Sequence, residues 1–389
     1  MIGCSKHNLN KFMKKIIFLL TLFITTNLVS QKNQHVLYGE KATYYKPSEN
    51  VFGLFLDKNG DIYPDDTITD EKLIACNASL QEFYQQNPKR FLKIAEKHQL
   101  KLTEYSDTNY IIFQDILARE KIELINKFQK NNTLFVLIHG FRKPFIKQDR
   151  STTAMEDYGY LRNSIEKIEE ENKKIKFLEI YWDGMFDSFF GEESGSLNDV
   201  FILFEQDAQK NAIRTGYALR RIISKIDTKA YNIITHSLGA QVGVSLLTNT
   251  YDDKINEEIT KLETPSQQKI NICLIAPAMA AAPFVDYYQR TTSLNFKQKD
   301  NYYLSILFNE KDAVLNKKIG FFGPGPRNYG DTSLGCNYEN EIGVLQNMFE
   351  ENYKNSSLKI YDTSVTRDHR IKNYVETLNF ENYIKELLI

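Results

Sequence analysis

From about residue 133 onward, short apolar runs alternate with longer stretches in which apolar residues recur at helical spacing. The runs Leu134 to Ile138, Lys176 to Tyr181, Tyr231 to Thr235, Ile270 to Ile275, Tyr303 to Phe308 and Leu358 to Tyr361 have the length and the β-branched or aromatic content of strands. Between them, the clearest helical stripe puts Ala208, Ala212, Leu219, Ile222, Ile223 and Ile226 on one face. A last stripe of Ile371, Tyr374, Val375, Leu378, Leu387 and Leu388 predicts a helix that closes the chain against the sheet. The alternation predicts an α/β fold, a mostly parallel central sheet flanked by helices, over residues 131–389.

Residues 31–130 read as an N-terminal α+β extension. A hairpin is expected at Phe55 to Tyr63, then amphipathic helices around Ser79 to His98 and Ile116 to Phe128. No Pro/Ser-rich linker separates this part, which either extends the sheet or packs beside it. Asp57-Lys58-Asn59-Gly60-Asp61 opens like a calcium-binding loop. Its sixth position, however, is Ile62 where the loop needs Gly, and its twelfth is Ile68 where it needs Glu. The stretch therefore reads as an Asn-Gly turn joining two strands.

Residues 1–30 follow a different pattern: Lys14 and Lys15 precede the apolar run Ile16 to Leu22, then small and polar residues continue to Ser30. This is the layout of a secretory signal peptide cleaved after Ser30, and it predicts an exported protein in the periplasm, the cell envelope or outside the cell. The apolar part is shorter than the roughly 20 residues a spanning helix needs. The competing expectation is an uncleaved leader, which would be the chain's one membrane attachment.

Composition narrows the picture. Of 389 residues, 42% are hydrophobic and 25% charged, as in a packed globular protein and unlike a disordered one. The net charge of -1, without a long basic block, excludes the electrostatic footprint of a nucleic-acid binder. Of the cysteines, Cys4 falls in the leader. Cys273 sits in a strand-like run as a small buried residue, and Cys76 and Cys336 are left as a candidate disulfide pair. No pair has zinc-ligand spacing, and no metal is expected. The sequence does not fix the oligomeric state.

The chemistry centres on Tyr231-Asn-Ile-Ile-Thr235-His236-Ser237-Leu238-Gly239-Ala240, a strand-like run that ends in a serine and enters a helix through small residues. A nucleophile elbow needs this arrangement, because the serine occupies a strained strand-to-helix turn whose neighbours must be small. Gly239 and Gly243 meet that need. Thr235 departs from the pattern, since G-x-S-x-G has glycine there. A serine before a helix can also be an ordinary N-cap.

Upstream, Leu134 to Ile138 runs into His139-Gly140-Phe141. The backbone N–H groups of Leu238 and Phe141 are the expected oxyanion donors. His139 is expected to shape that turn. In chain order an acid and then a histidine should follow later strands. Asp312 and Glu310 follow Tyr303 to Phe308, with Asp312 preferred and Asp331 and Asp362 as fallbacks. His369 follows Leu358 to Tyr361.

The other histidines are set aside as the base: His7 lies in the leader, His35 and His98 in the extension, and His236 beside the serine with its ring directed elsewhere. The expected catalytic set is Ser237 as nucleophile, His369 as general base and Asp312 as the acid that orients the histidine. Trp182 and Asp183, at the end of a strand, are candidates to line the pocket. Phe141, Arg142, His236 and Met279 join them. For Trp182 the rival expectation is that it packs under the insertion from Met185 to Asn198.

Taken together, Ile138-His-Gly-Phe141, Thr235-His-Ser-Leu-Gly239, Asn309-Glu-Lys-Asp312 and Asp368-His369 resemble the α/β-hydrolase superfamily over about residues 130 to 389. Tyr181-Trp-Asp-Gly184, Asp207 and the loop Gly323-Pro-Gly-Pro-Arg-Asn-Tyr-Gly330 are similar to those of loosely characterised bacterial families of that superfamily. The resemblance implies an esterase-like serine hydrolase without a cofactor, acting on a small acyl ester as a lipase or thioesterase does. It does not imply which substrate. Two alternatives stay open: a catalytically inactive hydrolase-fold binding protein of the cell envelope, for which Thr235 is the warning, and a serine peptidase or amidase.

Overall fold

The computed structural model describes residues 49–64, 79–141, 153–168, 175–184, 197–247, 269–282, 302–318, 323–352 and 357–388. The leader, Cys4, Cys76, Arg142 and most of the insertion after Met185 lie outside the described residues.

The strands are β1 (Val51–Phe55), β2 (Thr133–Ile138), β3 (Ile175–Tyr181), β4 (Ala230–His236), β5 (Lys269–Ile275), β6 (Tyr302–Phe308) and β7 (Ser357–Asp362). They form one seven-stranded sheet in the order β1-β3-β2-β4-β5-β6-β7. Every pairing is parallel. Strands covered on both faces read as near-continuous apolar runs, and every residue from Leu134 to Ile138 is at most 1% exposed. The six strands expected from the sequence each appear within one residue of their expected ends.

The helices are α1 (Leu80–Gln86), α2 (Pro88–Lys97), α3 (Asp107–Gln129), α4 (Ala154–Ile168), α5 (Leu197–Leu203), α6 (Gln209–Ile223), α7 (Gly239–Leu247), α8 (Glu341–Asn352), α9 (Lys372–Val375) and α10 (Leu378–Leu388). A π-helical turn, Phe204–Ala208, joins α5 to α6. Helix α6 packs on α3 and α7, while α4 packs against α9 and α10. Both groups seal the sheet that carries the site.

Several elements differ from expectation for local reasons. The helical stretch from Ser79 to His98 is two helices, because Pro88 has no N–H to continue the ladder and starts α2 instead. Helix α3 begins at Asp107, where the Ser106 hydroxyl accepts from Asn109 N at 3.1 Å. The terminal stripe also divides, with Thr377 Oγ1 accepting from Phe380 N at the start of α10.

The expected hairpin is reduced to a single antiparallel bridge, Leu56 to Ile62, around the Asp57–Gly60 turn. Its return arm stops there because the Gln114 side chain takes both the N–H and the carbonyl of Ile62, at 2.8 and 3.2 Å. β1 instead runs parallel to β3 at the sheet edge. Asp57 organises the turn by accepting from the N–H groups of Asn59, Asp61 and Leu80. Burial, with Asp61 nearby, pushes its carboxyl up to about 8.

The strand order places the site. After β2 the chain moves outward to β3, then returns to set β4 on the other side of β2. Ligands of open α/β sheets sit at such a reversal, beyond the carboxyl ends of the strands. Ile138 pairs with Thr235 across the reversal, so Gly140 and Ser237 emerge side by side.

Candidate active site

Ser237 directly follows β4 and has a left-handed backbone, φ 55°. An L-residue with a Cβ adopts this region at a cost, so the surroundings must hold it there. They do so through the backbone: Ser237 N donates to Ile275 O at 2.9 Å, and Ser237 O accepts from Ala278 N and Ala240 N at 3.1 Å each. Helix α7 starts two residues later. A Cβ on Gly140 would stand 2.7 Å from Ser237 Cβ, so the turn after β2 approaches the serine closely only because residue 140 lacks one.

Thr235 is fully buried, with its hydroxyl donating to Cys273 O at 3.2 Å. Its Cγ2 occupies space left by Gly243, where a Cβ would approach to 2.8 Å. The missing elbow glycine is thus balanced by a glycine one helical turn into α7.

The acid and the histidine meet. His369 Nδ1 lies 2.7 Å from Asp312 Oδ2. A carboxylate can only accept, so Nδ1 carries a proton, and in the neutral ring Nε2 is left with its lone pair. Nε2 is buried and has no hydrogen-bond partner among the described residues.

Asp312 is fully buried. Its Oδ1 accepts from Val314 N and Leu315 N, and its Oδ2 also accepts from the Tyr374 hydroxyl at 2.6 Å. Burial alone would raise this carboxyl, but the His369 ring beside it and these hydrogen bonds together hold it below the ordinary carboxylate range. Burial and the Asp312 charge push the Tyr374 hydroxyl up, which keeps it a neutral donor.

The other acids are engaged elsewhere. Glu310 accepts from Asn337 Nδ2, Asp331 from Ser333 N, and Asp362 from Ser364 N. Asp368, beside His369, pairs with Arg370.

The amides of Leu238 and Phe141 border Ser237 and Gly140, and neither donates to a backbone carbonyl among the described residues. The Phe141 ring meets Phe204 of the π-helical turn edge-on, with centroids 5.3 Å apart. His139 uses both ring nitrogens on the main chain: Nδ1 contacts Gly140 O at 2.8 Å, and Nε2 accepts from Trp182 N at 3.3 Å. Trp182 is buried, stacks on His139 and donates from Nε1 to His139 O. Asp183 and Met279 are buried at the ends of β3 and β5.

Behind the serine, the His236 ring reaches the loop that carries His369, its Nε2 lying 2.9 Å from His369 O. Lys317 is buried under the Gly323–Gly330 loop, donating to the carbonyls of Pro326, Tyr329 and Gly330. Burial lowers its amine to about 8. Cys336 is a buried free thiol. Among the described residues, no group of three or more His, Cys, Asp or Glu could hold a metal ion, and no helix is long and apolar enough to cross a membrane.

Tyr374 and Asn309 were not legible as site residues in the sequence. Tyr374 lies in the apolar stripe of the terminal helices. Asn309 follows β6 and donates from Nδ2 to Tyr374 Oη and Thr366 O. A weak signal existed in Tyr374 itself, since a fully buried tyrosine needs a partner for its hydroxyl.

No protein-family model matches the chain, and a search of curated proteins finds no relative. Among solved structures, an uncharacterized protein from Bacillus cereus is 12% identical at a TM-score of 0.33, over 78% of this chain and 74% of that one. A thermophilic esterase from Thermogutta terrifontis, Est2, is 13% identical at 0.31, over 66% and 79%. A T. brucei arginase-like protein is 9% identical at 0.22, over 69% and 94%. These likenesses are too weak to carry an argument about this chain.

Proposed function

We propose that the chain is a serine hydrolase of the α/β-hydrolase class that cleaves small carboxylic esters, with Ser237, His369 and Asp312 as its catalytic residues. One observation carries the reading: an imidazole whose Nδ1 is held by a buried carboxylate and whose Nε2 is buried with no partner among the described residues. It stands at the same sheet edge as a serine in a left-handed strand-to-helix turn.

The chemistry follows from that arrangement. Ser237 Oγ attacks the ester carbonyl carbon as His369 Nε2 takes its proton. The imidazolium that forms is stabilised by Asp312, which stays ionised because its carboxyl is held low. The N–H groups of Leu238 and Phe141 face the oxygen on which charge develops. The C–O bond to the alcohol then breaks, and His369 returns the proton to the leaving oxygen. Water repeats the sequence on the acyl-enzyme and releases the acid.

The fit of Thr235 Cγ2 into the space at Gly243 supports an intact elbow and weighs against the inactive alternative. With a leader-like sequence at residues 1–30, the proposal includes export.

The test is turnover of p-nitrophenyl esters of increasing acyl length beside matched amides. The proposal expects ester hydrolysis that falls to background in Ser237→Ala. Equal turnover by Ser237→Ala overturns it, and faster cleavage of the amides makes the chain an amidase.

A further inference from the structure

We infer that His236 is a positioning residue that ties the turn carrying the nucleophile to the loop carrying the base. The inference rests on the hydrolase reading for the roles of Ser237 and His369. The link itself is a matter of contacts.

The base loop, from Thr366 to His369, has no regular ladder and is held by its carbonyls. Thr366 O accepts from Asn309 Nδ2 at 2.8 Å and Arg367 O from Ala313 N at 3.1 Å, so both of those bonds come from the segment that bears Asp312. His369 O pairs with His236 Nε2 at 2.9 Å, and this bond comes from β4, one residue before Ser237. The acid side and the nucleophile side each grip the loop, and His236 supplies the grip on the nucleophile side.

Its protonation follows from its partner. A carbonyl oxygen only accepts, so Nε2 of His236 carries a proton. Nδ1 then faces Asp157 Oδ2 of α4 at 3.9 Å, with both side chains buried. The ring also lies against the ring it helps to hold, since the His236 and His369 centroids are 4.8 Å apart at 33°. Tyr374, whose hydroxyl binds Asp312, flanks His236 at 6.3 Å. The His369 imidazole is therefore oriented by Asp312 at Nδ1 and by the His236 hydrogen bond on its own backbone.

The competing account makes His236 a core-filling ring. Two substitutions separate the two, because His236→Phe keeps a ring and loses the donor, while His236→Gln loses the ring and keeps an N–H that reaches the carbonyl. Two readouts are compared: the rate constant for reaction with a fluorophosphonate, with the fraction labelled at completion, and the deshielded proton on His369 Nδ1 in the proton NMR spectrum.

His236→Phe should react about 100-fold more slowly, the scale of loss for a reacting group misplaced by about 1 Å, while labelling still goes to completion. Its Nδ1 resonance should shift or vanish. His236→Gln should restore both. A His236→Phe variant with the wild-type rate and an unchanged resonance overturns the inference, as does a Gln variant as impaired as Phe. If the wild type does not react at all, the hydrolase reading fails. The resonance then decides alone: lost in Phe and kept in Gln supports the link, and unchanged in Phe refutes it.

Discussion

The γ-methyl of Thr235 fills the space that a side chain at Gly243 would need, with a Cβ at 243 standing 2.8 Å from Thr235 Cγ2. The pair joins the end of β4 to the first turns of α7, immediately around Ser237. Gly243→Ala should therefore destabilise the fold by about 1–3 kcal/mol, the usual cost of overpacking. In the double variant with Thr235→Ser, which removes the methyl and keeps the hydroxyl, most of that loss should return. Urea midpoints of the four proteins in the cycle measure it; additive losses would show that the two side chains do not compete for one space.

Asp312→Asn should leave the fold near native and lower ester turnover by about 10⁴-fold, because an amide no longer fixes the proton on His369 Nδ1. Tyr374→Phe removes one of the hydrogen bonds on the same carboxylate and should cost far less activity. Measured kcat/KM values that rank the two the other way round would make Tyr374, and not Asp312, the main partner of the base.

The lowered carboxyl of Asp312 also sets a pH dependence. With its folded pKa below the unfolded one, the unfolded chain takes up the proton first as pH falls. The contribution to stability is complete above the ordinary value of 3.8 and is lost as pH drops through the lower folded value. Denaturation midpoints followed from neutral pH down to about pH 3 should fall more steeply for the wild type than for Asp312→Asn. Parallel curves would mean that the carboxyl is not held low.

Burial pushes the thiols of Cys273 and Cys336 up, the latter to about 12. Since the thiolate is the reactive form, neither should be alkylated by iodoacetamide at pH 8 in the folded protein, and both should react after unfolding. Peptide mapping by mass spectrometry reads this directly. Rapid labelling of Cys336 in the native state would place it at the surface.

The sheet was legible because its central strands are covered on both faces. Leu134 to Ile138 and Ile270 to Ile275 declare themselves as apolar runs without any knowledge of their neighbours. Which strand pairs with which was not legible: the placement of β1 beside β3 depends on contacts far apart in sequence, and the return arm at Ile62 is diverted by Gln114, 52 residues away. At the site, chain order brought out Asp312 and His369, which the structure places in contact. What order cannot supply is the direction of a side chain. Tyr374 reads as core until its hydroxyl is seen on Asp312. His236 reads as a pocket-lining candidate with its ring directed away from the serine until that ring is seen against His369. Ser106 is the opposite case, an N-cap signal present in the sequence that would have started α3 nine residues earlier than its apolar stripe suggested.

The central claim is that Ser237 Oγ is a nucleophile made reactive by His369. Intact-mass analysis after exposure to a fluorophosphonate, followed by peptide mapping, measures this most directly. The account predicts one adduct per chain, located on Ser237, absent from Ser237→Ala and strongly slowed in His369→Ala. An unmodified wild-type chain, or an adduct that persists when Ser237 is replaced, would contradict it.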